Sequence, residues 1–407
     1  LYCWRALKRA FSSLMSWRQN IRKMTGLAPA PIQISKDVSH YLIDAEHAID
    51  KLPIIYQRLF FSDALQDMRF FVGHTSIIDS LRQQLELWKN NEFSATVLIG
   101  DVGSGVTSIL NIARQQLYTD RTVRSCTIQN ILTTEDELTN FFQQALDRPG
   151  ATLAEMADEL NTGDSQIIIL EKLHRLFLRT VDGFSALERF LLFLTQTSKN
   201  VHWVVTCNTI SWLYLDRIFS ISRYYNLIVE LKGLDATNLQ NFVLKRHRMS
   251  GFALDFLPSE LLRRNRSYRR LRKRSDRQQF LRTRYFSQLE EQSGGNLSIA
   301  LLYWLSSIER VSDEKFSIAP LNLLDHSFLY QFPLEELMTL AAVLLSDSLT
   351  AAQHALIFRQ SQRLSELILH RLCNSGILLC NEGAYRVHPF LYRPVVRALM
   401  NKNILQM

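Results

Sequence analysis

The sequence predicts an α/β fold: a parallel sheet of about five strands covered by helices, followed by a helical region and a C-terminal winged helix-turn-helix. Three observations predict it. Short apolar strands alternate with helical patterns between residues 95 and 231, as in a parallel sheet packed on both faces. A glycine-rich loop follows the first of these strands and opens a helix. Residues 319–407 read as three helices and a two-stranded hairpin.

Taken in order, the 407 residues have room for two or three domains. Residues 1–36 are a basic amphipathic segment with seven Lys/Arg, no acid, and Trp4, Phe11 and Trp17. Two readings stay open for it: a packed N-terminal helix, or a segment on an anionic membrane surface, where Lys/Arg and Trp collect. It lacks the apolar core of a cleavable signal peptide. Residues 37–235 are the sheet domain with its leading helices, including the amphipathic run Ile77–Trp88. Strands are expected at 95–100, 123–128, 167–170, 201–206 and 227–231, with a helix over 109–117. Thr134-Glu135-Asp136-Glu137 is a capping-box start for a helix through Leu146.

After Gly233 no strand is expected before the C-terminal unit. Residues 236–318 read as helices interrupted by a basic run and by Gly294-Gly295-Asn296, which precedes a helix over 297–307. In 319–407 helices are expected over 327–345, 350–358 and 361–373. Strands 377–379 and 385–388 flank the turn Asn381-Glu382-Gly383, and a last helix covers about 392–402. In the third helix of that list the stripe Leu364, Leu367, Ile368 and Leu372 should face the core and leave Leu369 nearer the surface.

Composition excludes several classes. Hydrophobic residues make up 47% and charged residues 21%, enough apolar material for a sizeable core and too much for a disordered chain. No apolar run reaches the roughly 18 residues of a membrane span. Five scattered cysteines without a Cys-x-x-Cys pair indicate neither a zinc site nor a disulfide framework. A reducing, cytoplasmic location fits, with a membrane tether upstream of Leu1 left open. The net charge is +8, but residues 261–285 hold eleven Arg/Lys against one acid. Outside this run and residues 1–36 the chain is mildly acidic, so it is not a uniformly basic nucleic-acid binder. Arg269, Arg270, Arg272, Lys273 and Arg274 form the densest part of the run. A phosphate backbone, anionic lipid head groups or an acidic protein surface would each suit them.

The chemistry concentrates at three strand ends. Gly100-Asp101-Val102-Gly103-Ser104-Gly105-Val106-Thr107 fits the spacing G-x-x-x-x-G-K-[ST] in its required strand–loop–helix context, continued by Ser108. The glycines let backbone N–H groups converge on phosphates at a helix N-terminus. Thr107 stands where a hydroxyl would ligand Mg²⁺, but the lysine position holds Val106. Ile167-Ile168-Ile169-Leu170-Glu171 ends in a carboxylate suited to the Mg²⁺ shell, and Lys172 follows it. A lysine there serves as a base only if its pKa falls by several units. The strand starting at Val201 ends in Asn208, which either contacts a phosphate or water or forms the turn.

These residues resemble an AAA+ P-loop ATPase of the origin-recognition initiator and STAND NTPase type, over about residues 67–407. Phe71-Val72-Gly73-His74 resembles the family's entry box, with His74 for the usual arginine. The loop, Glu171 and Asn208 follow in the family's order, and Ser293-Gly294-Gly295-Asn296 resembles the start of the lid's last helix. The resemblance implies ATP or ADP with Mg²⁺ as cofactors and Asn208 as the sensor of the terminal phosphate. It also implies Arg217 or Arg223 as an arginine finger, a helical lid over 236–318, and a winged helix over 319–407. Val106 and Lys172 depart at the two positions most tied to turnover, and no arginine stands at 296–301. The reading favoured is a degenerate nucleotide-binding module, regulatory or assembling, with a protein partner or self-association and weak or absent hydrolysis. An active ATPase with an atypical site and an ATP-dependent DNA-binding protein are the alternatives.

Overall fold

Strands β1 (Ala95–Ile99), β2 (Val123–Thr127), β3 (Gln166–Glu171), β4 (Val201–Cys207) and β5 (Leu227–Glu230) form one sheet in the order β2-β3-β4-β1-β5, parallel at every junction. The computed structural model describes residues 52–60, 74–311, 315–321 and 326–405. The N-terminal basic segment and residues 71–73 of the Phe71–His74 box lie outside them. Because side chains alternate across a strand, the sheet builds two cores. Val97, Ile99, Ile168, Leu170, Trp203 and Val205 point to one, under helices Glu135–Ala145, Leu153–Thr162, Ser185–Thr197 and Thr209–Phe219. Leu98, Ile167, Ile169 and Val204 point to the other, under helices Thr75–Lys89 and Val106–Gln116. Burial on both sides explains why these strands read as continuous apolar runs.

Local signals set the helix ends. Thr134 accepts from the Glu137 N–H while the Glu137 carboxylate accepts from Thr134 N–H, the reciprocal box expected there. Thr152 and Glu155 repeat it. Trp203 is fully buried, with its indole N–H on Thr197 Oγ1 at 2.9 Å and its ring edge-on to Phe190 at 5.6 Å.

Three expectations need correction. Strands do recur after Gly233. β6 (Ala253–Phe256), β7 (Ile308–Val311) and β8 (Lys315–Ile318) form a small sheet ordered β6-β8-β7. Each has four residues, too short to show a period, and β6 finds its partner sixty residues away. The helix expected over 327–345 is broken: a 3₁₀ turn, Ser327–Gln331, ends before Pro333, and the α-helix is Leu334–Ser346. Proline drives the preceding residue, Phe332, to extended backbone.

The third correction concerns helix Gln362–Asn374. Its buried face is Ser365, Ile368, Leu369 and Leu372, whereas Leu364 and Leu367 are exposed. Ser365 is inside because its hydroxyl meets buried His354 Nδ1 at 2.9 Å, a polar contact that a hydrophobic stripe does not reveal. The C-terminal region is otherwise helices Leu334–Ser346, Ala351–Phe358, Gln362–Asn374 and Pro389–Asn401 around strands β9 (Leu349–Thr350), β10 (Leu378–Asn381) and β11 (Ala384–Val387). Glu382 (φ 52°) and Gly383 (φ 78°) form the two-residue turn between β10 and β11. Among the described residues no helix is long and apolar enough to cross a membrane.

Trp203→Ala empties the middle of the first core and should cost about 3–5 kcal/mol, read as a lowered urea midpoint. A loss below about 1 kcal/mol would show that the aromatic cluster does not anchor the sheet.

Candidate functional site

The loop after β1 is shaped by its own backbone. Gly100 N–H donates to Cys207 O at 3.1 Å, which ties the start of the loop to β4. Ser104 N–H returns to Asp101 O at 2.9 Å. Gly103 (φ 79°) and Gly105 (φ 104°) take the left-handed turns that open helix Val106–Gln116. The first amides of that helix have no intrahelical acceptor, so they and the helix dipole form a preset anion site. Val106 packs its side chain back into the second core. Ser104 Oγ is buried without a hydrogen-bond partner.

Two other regions clasp this loop. Asn296 Nδ2 donates to Val102 O at 2.8 Å, and Ser298 N–H donates to Gly103 O at 3.1 Å. The loop's carbonyls are thus taken from outside. A Cβ on Gly103 would lie 2.5 Å from Ser298 Cβ, so only glycine fits there. Asp101 meets the last helix of the chain: Tyr392 Oη donates to it at 3.3 Å, and the Arg393 guanidinium pairs with it at 3.3 Å.

A cavity of about 440 Å³ opens over the loop, within the usual range for ligand pockets. Glu171, Lys172, His174, Thr206 and Asn208 line it from the strand ends, Phe242, Arg246 and Leu297 from the helical region, and Asp347 and Arg386 from the C-terminal region. Lys172 adopts φ 70° and its N–H donates to Thr206 Oγ1 at 2.9 Å. The Asn208 side chain accepts from Ser211 N–H at 2.6 Å and caps helix Thr209–Phe219. Asn208 N–H donates to His174 Nδ1 at 3.3 Å. That bond places the ring proton on Nε2, which is buried without a partner.

The cavity's charge balance is positive. Its three acids are each met by an arginine outside the lining: Asp101 by Arg393 at 3.3 Å, Asp347 by Arg175 at 3.6 Å, and Glu171 by Arg114 at 3.9 Å. The lining cations are Lys172, Arg246 and Arg386. Arg246 is 4% exposed and lies over the Phe242 ring at 3.7 Å. Burial lowers its pKa to about 10, so it stays charged at neutral pH.

Of the residues singled out in the sequence, Gly100, Gly103, Gly105, Val106, Thr107, Ser108, Glu171 and Asn208 come together at this cavity. Ser104 lies buried in the loop. Arg217 and Arg223 are exposed and do not line it; Arg217 borders a separate pocket with Tyr214 and Leu345. Arg269, Arg270, Arg272, Lys273 and Arg274 are exposed elsewhere. His174 and Arg246 escaped the sequence reading, and nothing local in the sequence placed Arg386 at this cavity. Arg246 sits in Lys245-Arg246-His247-Arg248, which resembles a solvated last helical turn. Among the described residues no group of three or more His, Cys, Asp or Glu could hold a metal by itself. The cation-ligating candidates are therefore the pair Thr107 and Glu171, an oxygen donor set that suits a hard cation sharing its shell with phosphate oxygens.

No protein-family model matches the chain, and no curated protein matches it either. Solved structures similar to it include the ORC2 protein of Aeropyrum pernix in ADPNP–ADP complexes, at 12% identity over 86% of this chain and 98% of that one, with a TM-score of 0.39. Cdc6p of Pyrobaculum aerophilum matches at 13% identity over 86% and 98%, with a TM-score of 0.43. The Walker-type ATPase PABY2304 of Pyrococcus abyssi matches at 14% over 83% and 99%, with a TM-score of 0.45. These likenesses are too loose to assign a family.

The buried histidines make stability depend on pH. Desolvation lowers the pKa of His174, His354 and His388 to about 4 and that of His202 to about 3. An unfolded histidine titrates near 6.5, so the unfolded chain takes up these protons first. Their contribution to stability is complete above about pH 6.5 and is lost as pH falls toward 4. Urea midpoints should decline steeply below pH 6.5, and His174→Asn should reduce the slope by up to about 1.4 kcal/mol per pH unit. A midpoint level down to pH 5 would contradict the assignment.

Proposed function

We propose that the chain is a nucleotide-binding regulatory or assembly module of the AAA+/STAND-like type, with weak or absent ATP hydrolysis. The observation that carries the reading is the loop over Gly100–Ser108. It keeps phosphate-binding backbone geometry and a positive cavity, while Val106 and Lys172 occupy the positions of the phosphate-contacting lysine and the water-activating base.

In this reading the phosphates of ATP or ADP rest on the loop amides, and Arg246 and Lys172 offset part of the charge that a loop lysine would meet. Thr107 and Glu171 would hold Mg²⁺, which supplies further charge neutralisation when bound. The position of the water-activating base holds Lys172, and the Asn208 oxygen is already committed to a helix cap. Binding without efficient turnover follows.

The proposed organisation is a nucleotide-binding domain over 37–235, a lid over 236–318 and a winged helix over 319–407. The Asp101 contacts to Tyr392 and Arg393 support a regulatory role, because they couple the loop to the C-terminal unit. Exposed Leu364 and Leu367 beside Glu366, with Glu382 at the hairpin turn, suit a protein contact better than a phosphate-lined groove. Arg217 and Arg223 would serve a neighbouring copy, which makes self-association part of the reading.

Calorimetry with ATP·Mg²⁺ and ADP·Mg²⁺ and a steady-state phosphate-release assay test it. Binding is expected with little phosphate release, and Val106→Lys should tighten binding by about tenfold, or ~1.4 kcal/mol. Turnover of order ~1 s⁻¹ that Glu171→Ala abolishes would replace this reading with a working ATPase. Arg393→Ala should speed nucleotide exchange, and an unchanged rate would remove the regulatory coupling.

A further inference from the structure

We propose that the arginine-rich face over residues 263–284 binds nucleic acid through its sugar–phosphate backbone, without reading sequence. This stands apart from the nucleotide site, since these residues do not line the cavity over the phosphate loop. Eleven Arg/Lys and one acid fall within these residues. The fold gathers them on helices Glu260–Arg264 and Arg266–Arg270 and the start of Arg274–Ser293, with turns at Asn265 and at 271–273. All but Arg282 are exposed.

The fold gives them little local reason to be there. Arg274 pairs with Asp255 at 3.5 Å, and Arg277 Nε donates to Leu271 O at 2.7 Å. The seven cations from Arg263 to Lys273 make no ion pair with any described residue. Arg263, Arg264, Arg269 and Arg270 end helices, where a cation is favoured. Lys273 and Arg274 instead stand at the N-cap and first position of the helix ending at Ser293, where the dipole opposes them. Crowded like charges against a helix dipole are stabilised by an external polyanion.

The details favour nucleic acid over the other polyanions. Ten of the eleven cations are arginine, the side chain whose planar fork matches phosphate oxygens. A membrane-surface segment needs apolar side chains to insert. Here Tyr268 and Phe280 pack on each other at 6.1 Å, and Leu261 is the one large hydrophobic residue exposed beside the run among the described residues. That single leucine also makes no apolar core for a protein interface. Amide side chains suited to reading adenine edges are engaged within the fold. Asn265 caps its own helix, and Gln278 bonds Phe256 N–H and C=O at 2.8 and 3.0 Å.

The test is fluorescence anisotropy of the full chain with two unrelated duplexes of about 30 base pairs, across about 50–200 mM salt. Both duplexes should bind within about threefold of each other, with a log–log salt slope of about −4 or steeper. R269Q/R270Q/R272Q/K273Q should weaken binding at low salt by about 100-fold and flatten the slope by about 3. R269K/R270K/R272K should retain the slope, which separates charge loss from misfolding. Equal binding by the glutamine variant, no binding by the parent chain, or tighter binding to phosphatidylserine vesicles or polyglutamate than to the duplex at matched salt would each overturn the proposal.

Discussion

The turn Ser293–Ser298 holds three parts of the chain in register. Gly295 O accepts from Leu234 N–H at 3.0 Å, where the sheet domain hands over to the helices. Asn296 and Ser298 take the carbonyls of the phosphate loop. Gly294 O accepts from Arg393 Nη2 at 3.4 Å, at the end of the chain. Backbones this close exclude side chains: a Cβ on Gly295 would lie 2.4 Å from Leu234 O. The cavity exists because this turn sets the helical region over the loop at a fixed height.

The same clasp governs the electrostatics. Engaging the loop's carbonyls from behind leaves its amides for the cavity, and Arg393 offsets the charge of Asp101, the loop's one carboxylate, which lines that cavity. Valine at 106 adds no cation to the loop. The cavity's arginines come from elements distant in sequence, Arg246 and Arg386. Arg386 is exposed, whereas buried Arg246 is costly to desolvate. His174 contributes a neutral donor to the same wall, with its tautomer set by Asn208 N–H.

Charge is distributed unequally over the molecule. In the cavity over the glycine-rich loop each acid has an arginine partner, whereas the run from Arg263 is left to solvent with its charges adjacent. One site is therefore shaped by enclosure and the other by a long-range field. The two should respond to salt differently, since exposed charges are screened within about 10 Å at 0.1 M and buried pairs far less.

The sequence by itself determined the five parallel strands, the glycine-rich loop with Val106 at its helix start, Glu171 with Lys172 after it, and the capping box at Thr134. Each is a local pattern: an apolar run, a glycine spacing, or a cap three residues from its partner. Tertiary structure alone decided the rest. Strands β6 to β8 are too short to carry a period: β7 pairs with the adjacent β8, and β6 reaches β8 from across four intervening helices. The face of helix Gln362–Asn374 turned on the Ser365–His354 bond, and hydrophobicity pointed one position away. Arg246 and Arg386 reach the phosphate loop from more than a hundred residues downstream. Their charge reads as solvated surface until the fold buries or gathers it, because a sequence records which side chains exist and not which water they lose.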